Sequence, residues 1–429
     1  MPLGLHQNAK AAAVTALAEG LPHVGVTEGR LLDGFSAFLA SYEADQALPQ
    51  TGKLHEKLVD LVDELPLVEF VTGELMRELS ESSIITYDPE APRRALTELA
   101  GFEDSATTAL RLIETFDSLP WQYSFTAQLA GDVFPDEMFV DGSLAVGTAS
   151  NLAKPDLLFS EQFPLTHDNP NVKNRGMGGL LGLLIGAAEW KPESVCYQQE
   201  RSGFVGIYGR GSLIDSVERR LESFLGLGLA TRLLSYEYRY QNQKNTNRWI
   251  IHIRRDQNWE LYTRLDMDED ISDVLRHIKS FTFANEYPEN RRIPWLRGAV
   301  ERCNQIFDSD KSSTLLLSTK WFFDSFKGKD ETLRYIRLMT TLEILLGEHA
   351  DTSKASLGEI LGNRLAYLIG KNHQDRSDIL AEFKKIYGVR SGILHHGKHR
   401  LRGDERGYIS KLRKFCERAI EEEARLLLA

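Results

Sequence analysis

Cysteine is scarce in this chain: Cys196, Cys303 and Cys416 are the only three, each more than a hundred positions from the next. No C-x-x-C pair exists, so neither a zinc ribbon nor a disulfide framework is available. A reducing, cytoplasmic setting is expected. Long apolar runs are lacking as well. The most apolar segment, residues 177–188, is rich in Leu and Gly but falls well short of the roughly 20 residues that span a bilayer. It reads as a buried helix, and no membrane association is expected. The start, Met1-Pro-Leu-Gly-Leu-His-Gln-Asn, has neither the basic region nor the apolar core of a signal peptide. With 14 prolines and 33 glycines in 429 residues, collagen-like and broadly disordered readings also fall away.

Positive charge is short overall, 51 Lys+Arg against 62 Asp+Glu for a net of −11, which by itself argues against nucleic acid as a partner. The deficit is local. Residues 1–150 hold 8 basic against 24 acidic residues, residues 151–295 hold 19 against 19, and residues 296–429 hold 24 against 19. The acidity therefore belongs to the N-terminal third, and the C-terminal third is basic.

The pattern predicts an α+β multidomain chain in three parts. Residues 1–130 read mostly as helices: His55, Leu58, Val59, Val62 and Leu65 recur at helical spacing, as do Leu110, Leu112, Ile113 and Phe116. Their acidic exposed faces are either a solvated surface or a docking face for a basic partner or nucleic-acid mimic. Residues 131–290 read as an α+β sensing or regulatory region. Ser194-Val-Cys-Tyr-Gln and Gly203-Phe-Val-Gly-Ile-Tyr are strand-like. Leu234-Ser-Tyr-Glu-Tyr-Arg-Tyr alternates with period two, then a polar turn at 241–247 leads to Trp249-Ile-Ile-His-Ile and Trp259-Glu-Leu-Tyr-Thr-Arg-Leu. That order predicts an antiparallel hairpin or meander. The residue ranges 212–225 and 271–281 read as helices. Residues 285–294, polar with two prolines, read as a linker. Residues 296–429 then read as five helices, a bundle.

Two glycine clusters invite a nucleotide-binding reading. Gly176-Met-Gly-Gly-Leu-Leu-Gly misses the G-x-G-x-x-G spacing, and Gly206-Ile-Tyr-Gly-Arg-Gly-Ser lacks the Lys-Ser/Thr ending of a P-loop. Both are better read as turns or close backbone packing. A strand pair bearing Tyr236, Tyr238, Tyr240, Arg239, Arg248, Arg254 and Arg255 is open between a single-strand binding surface and a half-buried sheet face. No metal site and no cofactor are expected.

The most informative stretch is Lys384-Lys-Ile-Tyr-Gly-Val-Arg-Ser-Gly-Ile-Leu-His-His-Gly-Lys-His-Arg. Three of the eleven histidines, His395, His396 and His399, fall within five residues, beside Arg390. From Lys384 to Arg418 there are 11 basic and 3 acidic residues. Cations that hold phosphate, beside imidazoles that move protons near pH 7, suit a phosphodiester substrate. The plain alternative is a helix C-terminus closed by Gly397, with a histidine complementing the macrodipole. On a straight helix Arg390 and His395 lie about 140° apart. Either the helix ends between Gly392 and Gly397, or the site combines two subunits.

Arg390-Ser-Gly-Ile-Leu-His395 resembles the R-x4-H signature of HEPN domains, and its surroundings are similar to the ApeA-like HEPN branch. The supporting motifs are Trp321-Phe-Phe-Asp-Ser-Phe, Arg334-Tyr-Ile-Arg-Leu-Met-Thr-Thr-Leu-Glu-Ile-Leu-Leu-Gly, Asn363-Arg-Leu-Ala-Tyr-Leu and Ile386-Tyr-Gly-Val-Arg-Ser. They cover roughly residues 300–429. The resemblance implies a HEPN-like helical bundle, a homodimer, and a metal-independent endoribonuclease whose composite Arg/His site leaves a 2′,3′-cyclic phosphate and a 5′-hydroxyl. It also implies a prokaryotic anti-phage or toxin-type setting, with a phage or protein trigger acting on the N-terminal regions. Arg390 and His395 carry the catalytic roles, with His396 as the competing histidine because the His-Gly step selects it. Glu343, in Thr341-Leu-Glu-Ile, matches an acidic family position and is open between a partner for Arg390 and an ordinary surface glutamate. Lys398, His399, Arg400 and Arg402 are candidate RNA contacts. Tyr387 and Arg364 read as structural. Ser391 departs from the Asn or Asp common after the arginine. The competing reading is a catalytically silent HEPN module that binds RNA or protein.

Overall fold

In the computed structural model the described residues are 2–27, 32–80, 93–129, 134–159, 163–164, 194–206, 211–237, 247–280, 289–347 and 356–429. The glycine cluster at 176–182, the apolar segment at 177–188, the side chains of Tyr238, Arg239 and Tyr240, the turn at 241–246 and most of the second glycine cluster lie outside them.

The N-terminal part packs α1 (Gln7–Gly20), α2 (Gly34–Gln46), α3 (Lys53–Leu61), α4 (Pro66–Ser80) and α5 (Ser105–Asp117) beside a short antiparallel pair, β1 (Gly25–Thr27) and β2 (Arg93–Ala95). Side-chain caps start three of these helices: His6 accepts from the Asn8 N–H, Asp33 from the Phe35 N–H and Asp104 from the Ala106 N–H. Asp45, buried on α2, accepts the Leu67 N–H at 2.8 Å, so one helix satisfies an orphan donor at the start of another. Leu17, Leu58, Phe70, Leu75, Leu112 and Phe116 lie in this core.

The central sheet begins within the segment that reads as helical in sequence. Residues Trp121–Leu129 form β3, and the six described strands run in the order β4-β5-β6-β3-β8-β9, all antiparallel. These are β4 (Leu144–Ala145), β5 (Ser150–Ala153), β6 (Val195–Gly203), β8 (Arg248–Arg255) and β9 (Asn258–Asp266). Period-two alternation sends Tyr123, Phe125 and Ala127, with their partners Ile253, Ile251 and Trp249, to one face. After the single-turn α6 (Pro155–Leu158), α7 (Ser212–Ala230) covers that face with Val217, Leu221 and Phe224. The opposite face carries the buried polar row Ser124, Thr126, Gln198 and His252.

Three sequence readings change here. The described part of the alternating stretch from Leu234, β7 (Leu234–Tyr236), pairs not with the Trp249 strand but with β10 (Ile278–Ser280), and the hairpin is β8 with β9. Alternation gave a strand but not its partner, because pairing is decided by which apolar face is free to be covered. The helix expected over 271–281 is only α8 (Glu269–Leu275), capped by Asp268, and the chain then turns into β10. The expected linker at 285–294 is helical from residue 289: α9 (Glu289–Asp308) carries Pro294 inside it. A proline this near a helix start removes one intrahelical bond, to the carbonyl of residue 290, and is outweighed by the packing of Leu296, Val300 and Cys303.

The C-terminal helices follow the sequence reading closely: α10 (Ser313–Asp324), α11 (Glu331–Gly347), α12 (Leu357–Ile369), α13 (His373–His396) and α14 (Gly403–Leu427). They share one continuous core with the sheet, running from Tyr123 to Ala424. The junction is the α7–α10 crossing, where an added Cβ on Gly226 would lie 1.9 Å from the Thr319 carbonyl oxygen. Ser223 donates to the Leu316 carbonyl across it at 2.9 Å, and Lys327 bridges Glu222 and Asp324 in a nearly dry ion-pair network. Among the described residues no helix is long and apolar enough to cross a membrane.

Candidate active site

Helix α13 is started by the Asn372 side chain, which accepts the Asp375 N–H at 2.9 Å. It stays helical through both Arg390 and His395 and ends at Gly397, whose φ of 63° is the left-handed closure that glycine adopts without strain. Of the two arrangements left open by the sequence, the helix therefore ends after the pair and not between its members. Ile379, Phe383 and Ile386 are buried, and Ile393 packs against the same core. Arg390 falls on this stripe, four residues after Ile386 and three before Ile393. Its position forces the guanidinium toward α11 instead of into solvent.

There it meets Glu343. Arg390 Nη2 donates to Glu343 Oε2 at 3.2 Å, and Arg390 Nε lies 2.9 Å from Oε1, a close charge contact whose angle makes it no hydrogen bond. The two side chains are only 18% and 21% exposed, so solvent screens the pair weakly. The guanidinium also lies 5.6 Å from the Tyr387 ring centroid. Tyr387 packs beside Phe383 and over Gly358, Tyr335 donates to the Ile386 carbonyl at 2.7 Å, and Arg364 donates to the Leu346 carbonyl at 2.6 Å. The first two contacts fix α13 against α12 and α11, and the third fixes α12 against α11, in keeping with the structural reading of Tyr387 and Arg364.

His395 is turned the other way and is exposed, next to Leu394, which is 49% exposed. Within one chain the arginine and the histidine thus point to different sides of α13. The side chain of His396 lies outside the described residues.

The loop after Gly397 is pinned by buried Leu401, leaving His399, Arg400 and Arg402 exposed. The Thr332 hydroxyl donates to the His399 carbonyl at 3.3 Å. Lys398 is not a free cation: it is paired with Glu405, which also accepts the Arg402 N–H at 2.7 Å. Burial would raise the Glu405 carboxyl, but the Lys398 hydrogen bond and the Arg402 N–H outweigh it and hold it below its ordinary range. More generally, the linear charge count overstates the cationic surface. Arg390, Lys398, Arg406, Lys411 and Arg418 are each ion-paired, four of them to carboxylates outside the 384–418 stretch.

The site holds no cysteine chemistry. All three thiols are buried and free, and burial pushes Cys303 up to about 12, which keeps it protonated and unreactive. Among the described residues no group of three His, Cys, Asp or Glu is placed to hold a metal ion. No protein-family model matches the chain, and neither the curated proteins nor the solved structures contain a match.

Proposed function

We propose that the chain is a HEPN-type endoribonuclease, working without metal, whose active site is completed by a second copy. The observation that carries this reading is the division of α13: Arg390 is held inward by Glu343 while His395 stands exposed at the helix end. A two-fold axis near that end would bring the histidine of one copy to the arginine of the other. In the proposed reaction a histidine takes the ribose 2′-OH proton as that oxygen attacks phosphorus. A proton from that imidazolium or from water passes to the departing 5′-oxygen as its bond to phosphorus breaks, and Arg390 stabilises the charge gathering on the phosphoryl oxygens. The products are a 2′,3′-cyclic phosphate and a 5′-hydroxyl, and DNA, lacking the 2′-OH, is inert. Arg400, Arg402 and His399, with Lys398 if its bond to Glu405 opens, would hold the RNA backbone. Regulation by residues 1–290 and a defence or toxin role belong to the same proposal.

One observation favours a second reading. An arginine already neutralised by a carboxylate is also what a purely structural ion pair looks like, as in a silent module that binds RNA or protein. Mixing separates the two. Arg390→Ala and His395→Ala should each be inactive on labelled RNA. Exchanging their subunits should restore about a quarter of wild-type activity, since half the dimers are mixed and each has one intact site of two. The purified wild type leaving all RNA intact would overturn the enzyme reading, as would cleavage that persists in the His395→Ala/His396→Ala double variant. Loss of cleavage on adding EDTA would place the chemistry on a metal site elsewhere.

A further inference from the structure

Helix α2 is turned inside out relative to an ordinary surface helix. Its buried positions are the small residues Ala37, Ala40, Ser41 and Ala44, together with Asp45. They let α1 approach so closely that an added Cβ on Gly20 would lie 2.4 Å from the Ala40 carbonyl oxygen. Its large residues face solvent: Phe35 is 72% exposed, Phe38 37%, Leu39 53% and Tyr42 37%. The spacing i, i+3, i+4, i+7 makes them one continuous stripe along nearly the whole helix. The Phe38 and Tyr42 rings are stacked with centroids 5.7 Å apart, so part of the stripe is already ordered. Scattered apolar residues on a surface need no explanation, but a contiguous aromatic stripe marks an interaction surface.

Along the stripe, α2 itself offers only acidic charge. Helix α2 has no Lys or Arg, and Glu43 is exposed beside Tyr42. Glu19, also exposed, precedes the Gly20 that packs on Ala40. Glu64 lies three residues before Leu67, whose N–H is held by Asp45 at the far end of α2. Near the helix start, Arg93 is engaged by the capping Asp33 at 3.1 Å and Arg94, the next residue of β2, is also exposed, while Lys10 of α1 is engaged by Asp117. Lys53 and Lys57 lie on α3. The setting is the N-terminal third, with 8 basic against 24 acidic residues.

We infer that the outer face of α2 is a docking surface for a cationic amphipathic helix of a partner protein, with apolar anchors seated on Phe35, Phe38, Leu39 and Tyr42 and basic residues meeting the acidic rim. This site is separate from α13 and does not depend on the nuclease proposal. An anionic membrane is disfavoured by the same acidic rim.

The test uses the full chain and a fluorescein-labelled amphipathic helical peptide of Leu and Lys, with its Leu/Glu counterpart as control, read by fluorescence anisotropy. The Leu/Lys peptide should bind the wild type and bind a Phe35→Ser/Leu39→Ser variant at least about tenfold more weakly, with the circular dichroism of the variant unchanged. The Leu/Glu peptide should not bind. Equal affinity for wild type and variant, or equal binding of the two peptides, overturns the inference. So does sedimentation showing that the wild type self-associates and the variant does not, which would give the face to a second copy. Capture of wild type but not variant by phosphatidylcholine vesicles would give it to a lipid surface instead.

Discussion

Replacing Gly226 with alanine places a methyl group inside the α7–α10 crossing, 1.9 Å from the Thr319 carbonyl oxygen and 2.8 Å from its carbon, where ordinary contact begins near 3.4 Å. Both obstacles are backbone, so no side-chain rotation relieves the overlap, and the helices must part by about 1–1.5 Å. A gap of that size forfeits roughly half of each contact across the interface, and overpacking of this kind costs about 1–3 kcal/mol. The Ser223–Leu316 hydrogen bond, 2.9 Å long, stretches beyond use and adds about 1 kcal/mol. Alanine's better helix propensity returns about 1 kcal/mol. The net is a loss of about 2 kcal/mol, seen as a calorimetric melting temperature several degrees lower. Gly407→Ala on α14 is the matched control: nothing lies within 4 Å of its added Cβ, so only the propensity gain of about 1 kcal/mol survives and the melt should rise. If Gly226→Ala melts with or above the wild type, the sheet helix and the C-terminal helices do not share that crossing, and the reasoning fails.

Two further outcomes follow from other parts of the structure. Glu343→Gln keeps the size of the side chain but removes its charge. Because both partners are about one-fifth exposed, the coupling with Arg390→Gln in a double-mutant cycle of urea unfolding should be about 1–3 kcal/mol, between the values for surface and buried pairs; coupling near zero would mean that the carboxylate does not hold the arginine. Glu423, on α14, has its carboxyl raised by burial alone. A raised folded-state value means that ionisation costs stability, a cost absent below the unfolded value of about 4.3 and fully present above the folded one. Glu423→Gln should therefore raise the melting temperature at pH 7 and lose that advantage near pH 4; an equal gain at both pH values would rule out the burial cause.

How much of the fold was legible depended on how local its cause was. The five helices from Ser313 on could be read from apolar spacing because each is long and carries its own apolar stripe, and local caps such as Asn372 and Gly397 bound some of them. Strand β3 was missed for the opposite reason. Trp121-Gln-Tyr-Ser-Phe-Thr-Ala-Gln-Leu alternates as a strand should, but it follows a helical run and its identity as the sheet centre rests on β6 and β8, which lie some 70 and 120 residues further on. The Arg390–Glu343 pairing was one of two readings the sequence left open, and its geometric reason was present there: 379, 383, 386, 390 and 393 form one stripe, with an arginine where an apolar residue would sit.

By itself, then, the sequence determined the periodicities, the caps, the acidic first third and the Arg390–His395 spacing, since each depends on residues within a few turns of one another. Tertiary structure alone decided which cations of the basic stretch are neutralised, because the carboxylates that do so, Glu343, Glu331, Glu382 and Asp375, come from outside that stretch. It also decided that α2 wears its large residues outward. A helix with apolar residues on two sides does not say which side is core; the close approach of Gly20 to Ala40 does, since only the face of small residues fits there.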